Sequence, residues 1–301
     1  MWLTLLKLLF GVSVYATAVE PRFVVQNDEA APIPNLPPSW EGAQVAVFAD
    51  LQVGIRWANT DAARRAVRDV IAIHPAFVLV AGDFVYNADS TVDDQMKRVV
   101  AILEPILHDS IPVYAVLGNH DYSLMNEHSE KDNYVAHHVR AALTAAGVHM
   151  MDNTVEGLAR GGPGQRDTLY LVGVGEKWAK NDHADSVVGK VPPGAPRLVF
   201  MHDPDSFAKI PAGEAPVAIA AHTHAMQVGI PYVSDYLWRH YFSDEGSGVE
   251  GWQDHFGQPG NRVYINRGIG FSYFAARLNA VPELTVFTLV HANDSTKAGG
   301  G

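Results

Sequence analysis

"VAVFADLQVGIRW", residues 45–57, is an apolar run that stops at Asp50 and reaches Gln52 two places later. The apolar residues Val45 to Ala49 are too few for a helix and read as a strand buried on both faces. An Asp at a strand end is, taken alone, a turn former or a helix cap. Its meaning depends on whether the pattern recurs.

Similar apolar runs occupy 76–81, 112–117, 168–174, 197–201, 216–220, 262–266 and 284–290. Helical periods separate the first of them. Ala63, Ala66, Val67, Val70, Ile71 and Ile73 keep one such period. Met96, Val99, Leu103 and Ile106 keep another, with Thr91 as its cap, and a third helix over 134–146 is stopped by Gly147. Strand–helix alternation specifies an α/β domain. The later half is richer in strands, which fits two packed sheets flanked by helices better than one doubly wound sheet. Residues 43–291 then form one catalytic domain. Residues 19–42 precede it as an extended segment with a proline-rich linker over 26–39, and 292–301 form a frayed tail.

In open α/β sheets, ligands gather at the carboxyl ends of strands. The residues found there are Asp50, then Asp83 in "GDFVYN", Asn119 and His120 in "GNHDY", His202 in "MHDPDSF", and His222 and His224 in "AHTHAMQ". Each has an ordinary structural reading when met singly. Their joint occurrence at one end of successive strands points to metal. Carboxylate, amide oxygen and imidazole without sulfur suit Mn, Fe, Zn or Mg. Two aspartates, an asparagine and three histidines are too many for a single catalytic ion with open positions. They suit two ions about 3.5–4 Å apart sharing a carboxylate, the arrangement for in-line displacement at a phosphoryl group by an activated hydroxide.

Composition narrows the class. The 301 residues carry a formal net charge of −11, which argues against broad contact with nucleic-acid backbone or an anionic membrane. There are no cysteines, so disulfides and thiolate metal sites are excluded. At the N-terminus, "MWLTLLKLLFGVSVYATA" has one cation, Lys7, and an uncharged run from Leu8 that closes on Ala16-Thr17-Ala18. That closing pattern resembles a signal-peptidase site. Residues 1–18 read as an export signal or a short membrane anchor, against a buried N-terminal helix, so the protein is expected outside the cytoplasmic membrane or at its surface.

The ordered stretches "DLQ", "GDFVY", "GNHD", "MHDPD" and "AHTH" resemble the signature of the calcineurin-like metallophosphoesterases. "EPRF", "HDPDSF" and "GIGFSYFAARLNAVPELTVFTL" resemble its exported YkuE-like branch. The resemblance spans roughly residues 19–290 and implies a four-layer α/β/β/α sandwich. It implies that Asp50, Asp83 and His224 bind a first divalent ion, and that Asp83, Asn119, His202 and His222 bind a second. His120 would be the acid that protonates the leaving oxygen. Gln52 stands where the family has a histidine and is read as an altered ligand. Tyr86 replaces the aspartate that orients the catalytic histidine, and Ala221, Ala225 and Met226 replace glycines.

The implied activity is phosphodiester hydrolysis of a small-molecule or lipid-linked substrate. The alternatives are a phosphomonoesterase, a pyrophosphohydrolase on lipid-linked or nucleotide substrates, or a non-catalytic binding protein on the same fold. The aromatic stretch 232–262 reads either as a lid over the substrate or as a loop packed on its own body. Arg239, Arg267 and Arg277 are candidates for phosphate, with Glu283 a competing partner for Arg277.

His120→Asn is expected to lower turnover by about 10²–10⁴-fold, the usual contribution of a general acid, while the protein keeps its metal. Steady-state kinetics with metal analysis of the same sample checks this.

Overall fold

Each apolar run is continuous because its strand is covered on both faces. A computed structural model describes residues 2–55, 59–161 and 167–292. Val45 and Val47 pack between two sheets, whereas Ala46 and Phe48 pack against helices. Phe77 and Leu79, against Val78 and Val80, repeat that division on the next strand. The two-residue side-chain period therefore feeds two cores from one segment.

In chain order the strands are β1 (Val25–Ile33), β2 (Gln44–Phe48), β3 (Phe77–Ala81), β4 (Val113–Val116), β5 (His149–Met150), β6 (Thr154–Arg160), β7 (Asp167–Gly173), β8 (Arg197–Phe200), β9 (Ala218–Ala220), β10 (Gly251–Gln253), β11 (Val263–Ile265) and β12 (Glu283–His291). One sheet has the order β1-β12-β2-β3-β4-β5, the other β10-β11-β9-β8-β7-β6. The helices are α1 (Trp2–Val14), α2 (Thr60–Ile73), α3 (Val92–His108), α4 (Asn133–Ala146), α5 (Ala184–Val188) and α6 (Val233–Leu237).

The layers are those of an α/β/β/α sandwich. Val67 and Val70 of α2, Val99 and Leu103 of α3 and Val139 of α4 cover the outer face of the first sheet. The outer face of the second is covered more thinly, by Val187 and Val188 of α5 and by Phe207. Strands β2, β3, β4 and β5 run parallel, as do β7, β8 and β9. Their carboxyl ends meet where Ala49, Ala81 and Ala221 pack together between the sheets.

Three expectations need correction or qualification. Much of the proline-rich linker is β1, paired in parallel with β12 from Val25↔Glu283 to Ile33↔His291. An edge strand tolerates Pro32 because one side of its backbone needs no ladder bond. Thr91 precedes α3 without a side-chain capping bond; its Oγ1 accepts from Gln95 Nε2 at 3.0 Å instead. The expected tail lies outside the described residues from 293 onward, as do 56 and 57 of the opening stretch.

The chain from Trp2 to Arg22 is one helical segment, long and apolar enough to cross a membrane. No residue of α1 is buried, so it is not a core helix. Its foot is bonded to the body: Ala16 O accepts from Arg277 N–H at 2.8 Å, and buried Glu20 accepts from Ala280 N–H at 2.8 Å.

Leu79, fully buried between the sheets, is a sensitive test of this packing. Leu79→Ala should destabilise the fold by about 2–5 kcal/mol, whereas Lys97→Ala on the outer face of α3 should stay within about 0.5 kcal/mol. Denaturant unfolding of both variants measures the contrast.

Candidate metal centre

The loops after β2, β3 and β9 turn sharply, and the turning residues carry candidate ligands. Asp50, Asp83, His222 and His224 have φ of 56°, 58°, 73° and 50°. Such left-handed backbone costs of order 1–3 kcal/mol per residue and persists where surrounding structure imposes it. The packing is correspondingly tight. A Cβ added at Gly118 would overlap Asp83 Oδ1, and one at Gly268 would overlap Asp50 Oδ2. Asp121 pins the loops together by accepting backbone N–H bonds from Gly118, Asp83, Phe84 and Val85 at 2.9, 3.0, 2.9 and 3.2 Å.

Two clusters result, sharing Asp83. One holds Asp83, His202 and His222, the other Asp50, Asp83 and His224, with ligand atoms in each within 4.8 Å of one another. Asn119 belongs to the first of these. Its Nδ2 donates to Leu124 O at 2.8 Å, which turns Oδ1 to within 3.1 Å of His202 Nε2 and 2.9 Å of His222 Nδ1. His202 Nδ1 lies 2.7 Å from Ala81 O, so that nitrogen carries a proton, and in the neutral imidazole Nε2 faces the cluster as a lone pair. His202 Nε2 is also 3.2 Å from His222 Nδ1 and 3.3 Å from Asp83 Oδ2.

Acceptors converging in a buried space repel one another unless a cation lies among them. Among the described residues, neither oxygen of fully buried Asp50 has a hydrogen-bond partner. Burial, with Asp83 nearby, pushes its pKa up to about 7. Burial opposes charge on His202 too, yet Asp83, Asp50 and Glu176 outweigh it and hold that imidazole well above its usual range. The cluster thus demands positive charge. Hard oxygen and imidazole donors around a shared carboxylate fit two divalent ions.

Gln52 is buried against Asp83. Its Nε2 donates to Asp83 Oδ2 at 2.7 Å, and its Oε1 has no partner among the described residues. The amide ends are nearly isosteric, so a half-turn of the amide exchanges them without displacing neighbours. His120, 3% exposed, donates its backbone N–H to Asp83 Oδ1 at 2.8 Å. Its ring packs against Tyr86 at a tilt of 35°, with centroids 4.7 Å apart, and its Nδ1 has no partner among the described residues. Burial lowers the His120 pKa, and His202 acts in the same direction against the pull of Asp83.

A cavity of about 370 Å³ opens over this cluster, with Asp83, Asn119, His120, His222 and His224 in its lining. Trp178, Met226, Trp238, Phe242, Tyr273 and Phe274 contribute the rest of its apolar wall. Sequence reading missed Trp178, whose ring meets His222 edge-on at 4.9 Å. It lies in a stretch without periodicity, so no local signal marked it. The aromatic stretch divides: Trp238 and Phe242 line the cavity, whereas Trp252 and Phe256 pack on the sheets.

The three arginines are engaged elsewhere. Arg239 pairs with Asp235 at 2.6 Å, and Arg267, not Arg277, pairs with Glu283 at 2.8 Å. Fully buried Arg277 donates to Gly270 O, Ala280 O and Arg267 O, and its Nη2 lies 3.2 Å from His224 Nδ1.

The sequence profile of the calcineurin-like phosphoesterases matches residues 43–226. The chain belongs to this family. Like its members it is a phosphoester hydrolase that uses two divalent metal ions. The uncharacterized metallophosphoesterase YkuE of Bacillus subtilis is 20% identical over 279 residues, covering 93% of this chain and 90% of its own. Phosphodiesterase YaeI of Escherichia coli is 28% identical over 232 residues, 74% of this chain and 75% of its own. UDP-2,3-diacylglucosamine pyrophosphatase LpxG of Chlamydia trachomatis is 22% identical over 317 residues, 92% of this chain and 93% of its own.

An amide oxygen is a weaker donor than imidazole toward late transition ions. Gln52→His should therefore tighten binding at the Asp50 side of the cluster and leave the Asn119 side unchanged. Calorimetric Zn or Mn titration of metal-free protein should resolve one strengthened binding step of two.

Proposed function

We propose that the protein hydrolyses phosphodiester or pyrophosphate-diester bonds in an amphiphilic, lipid-linked substrate. In this reading Asp50, Asp83 and His224 hold one ion, with Gln52 beside it. Asp83, Asn119, His202 and His222 hold the other. When bound, such ions supply Lewis acidity to phosphoryl oxygens and lower the pKa of water toward neutrality. His120 protonates the departing ester oxygen, and its unpaired Nδ1 leaves the ring free of a competing hydrogen bond on that side. Tyr86 positions the His120 ring by tilted ring-to-ring contact, where a carboxylate would hold it by charge.

The observation that carries the choice of substrate is the cavity lining. It is largely aromatic beside the ligands, and no Lys or Arg is among its described residues. A monoester dianion would find no cationic side chain there to share its second charge, whereas a diester carries one charge per phosphate. The apolar wall suits a hydrocarbon or other apolar substituent. The names of the similar YaeI and LpxG support the diester and pyrophosphate readings. For the N-terminus, the bonds from Ala16 and Glu20 to the body support a retained anchor that places the catalytic domain at the outer membrane-facing side.

Metal-free protein reconstituted with Mn or Zn should hydrolyse bis(p-nitrophenyl) phosphate with kcat/KM at least about tenfold above p-nitrophenyl phosphate, a difference of about 1.4 kcal/mol in transition-state stabilisation. Chelation should abolish both activities. A preference for the monoester would overturn the diester reading.

A further inference from the structure

The segment Val233–Phe242, made of α6 and the wider turn Trp238–Phe242 after it, is amphipathic in the inverted sense. Its polar residues Ser234, Asp235 and Arg239 bond toward the protein, while His240 is exposed and stacked on Tyr236. Ser234 Oγ donates to Val228 O at 3.0 Å, Asp235 Oδ1 accepts from Val249 N–H at 3.3 Å, and Arg239 binds Asp235 and Gly246 O. Its apolar side faces outward: Val233, Tyr236, Leu237 and Tyr241 are exposed, with Tyr232 just before them at 92% exposure. A helix on a water-facing surface shows the reverse arrangement. Outward aromatic and aliphatic residues with the polar face turned away are suited to an apolar phase.

This face and the N-terminal helix hang on one loop. Arg277 N–H donates to Ala16 O at the foot of the helix, while Leu278 N–H donates to Gln227 O and Gly229 N–H donates to Leu278 O at the approach to α6. The same loop carries exposed Tyr273 and Phe274 at the cavity mouth, and Gln227 Nε2 binds Phe274 O at 2.9 Å. Apolar α1, the inverted helix and the mouth of the active site are therefore neighbours through direct bonds.

We propose that residues 230–242 together with Tyr273 and Phe274 form a membrane-docking face. It seats in the interfacial layer of the bilayer that α1 enters, so that the catalytic mouth opens onto lipid. Among the described residues of this face, Arg239 is the one Lys or Arg, and it is bonded inward. Attachment therefore rests on apolar and aromatic insertion rather than on anionic lipid. The proposal deepens the lipid-linked reading above and rests on it for the identity of the substrate, though not for the attachment itself.

Because the chain has no cysteine, one introduced thiol can be labelled cleanly. Full-length Tyr236→Cys bearing an environment-sensitive fluorophore, reconstituted into phosphatidylcholine vesicles, should show blue-shifted emission that brominated acyl chains quench. The same label at Lys97→Cys on α3 should stay aqueous. An aqueous label at 236, or penetration that requires anionic lipid, overturns the proposal. Shielding that depends on protein concentration and not on vesicles would mean that copies of the chain pair through this face, and would also overturn it. As a second measurement, the Tyr232→Ser/Leu237→Ser/Tyr241→Ser variant should hydrolyse soluble bis(p-nitrophenyl) phosphate at the wild-type rate and lose activity on a vesicle-embedded diester. Equal activity on both would refute the docking face. Hydrolysis with an aqueous label removes the docking face alone, whereas a lipid-buried label without any phosphoester hydrolysis removes the catalytic reading alone.

Discussion

One electrostatic constraint governs the whole centre: Asp83 is buried where several other acceptors converge on it. Asp50, Asn119 and His202 from three strand ends, with His222 and His224 from a fourth, meet around that carboxylate with few protons among them. Without the sandwich, such groups would separate into water. The tightly packed glycines, the left-handed turns and the four N–H bonds into Asp121 all oppose that separation. Stability is thereby given up locally to keep a demand for cations in place, as is common at functional sites.

Much of the arrangement was legible because parallel strands bring their carboxyl ends to one rim. Asp50, Asp83, Asn119, His202, His222 and His224 stand out because each lies just past the end of an apolar run. Other features depend on partners distant in sequence and leave no local pattern. Half-exposed β1 is polar and proline-bearing, and only β12, more than 250 residues away, makes it a strand. Trp178 meets His222 across a loop, and the engagement of Arg277 with backbone carbonyls shows only once residues 267, 270 and 280 surround it. The inverted helix was visible as an aromatic stretch, but its polarity became readable only when the inward residues were known.

The departures at Gln52 and Tyr86 change the character of the centre without dismantling its frame. A glutamine amide makes a hydrogen bond to Asp83 where imidazole would bring a stronger donor. A tyrosine ring holds His120 by contact where a carboxylate would add charge. Buried Arg277 supplies a permanent cation beside His224 and Asp50. The glutamine and the arginine reduce donor strength and negative charge on the Asp50 side, so the two halves of the cluster are chemically unequal.

The position of β12 has a consequence for how the chain is made. This last strand lies between β1 and β2, pairing in parallel with one and antiparallel with the other. The first sheet cannot close until residues near 291 have been synthesised, and β1 has no partner before then. The inner residues Val45 and Val47 of β2 stay uncovered by Phe287 and Leu289 through most of elongation. Pairing across so long a separation is slow and leaves open strand edges prone to association. Assembly of this sheet therefore waits until residues near 291 have been made, and a carrier that keeps the nascent chain apart from its neighbours would act at least until then.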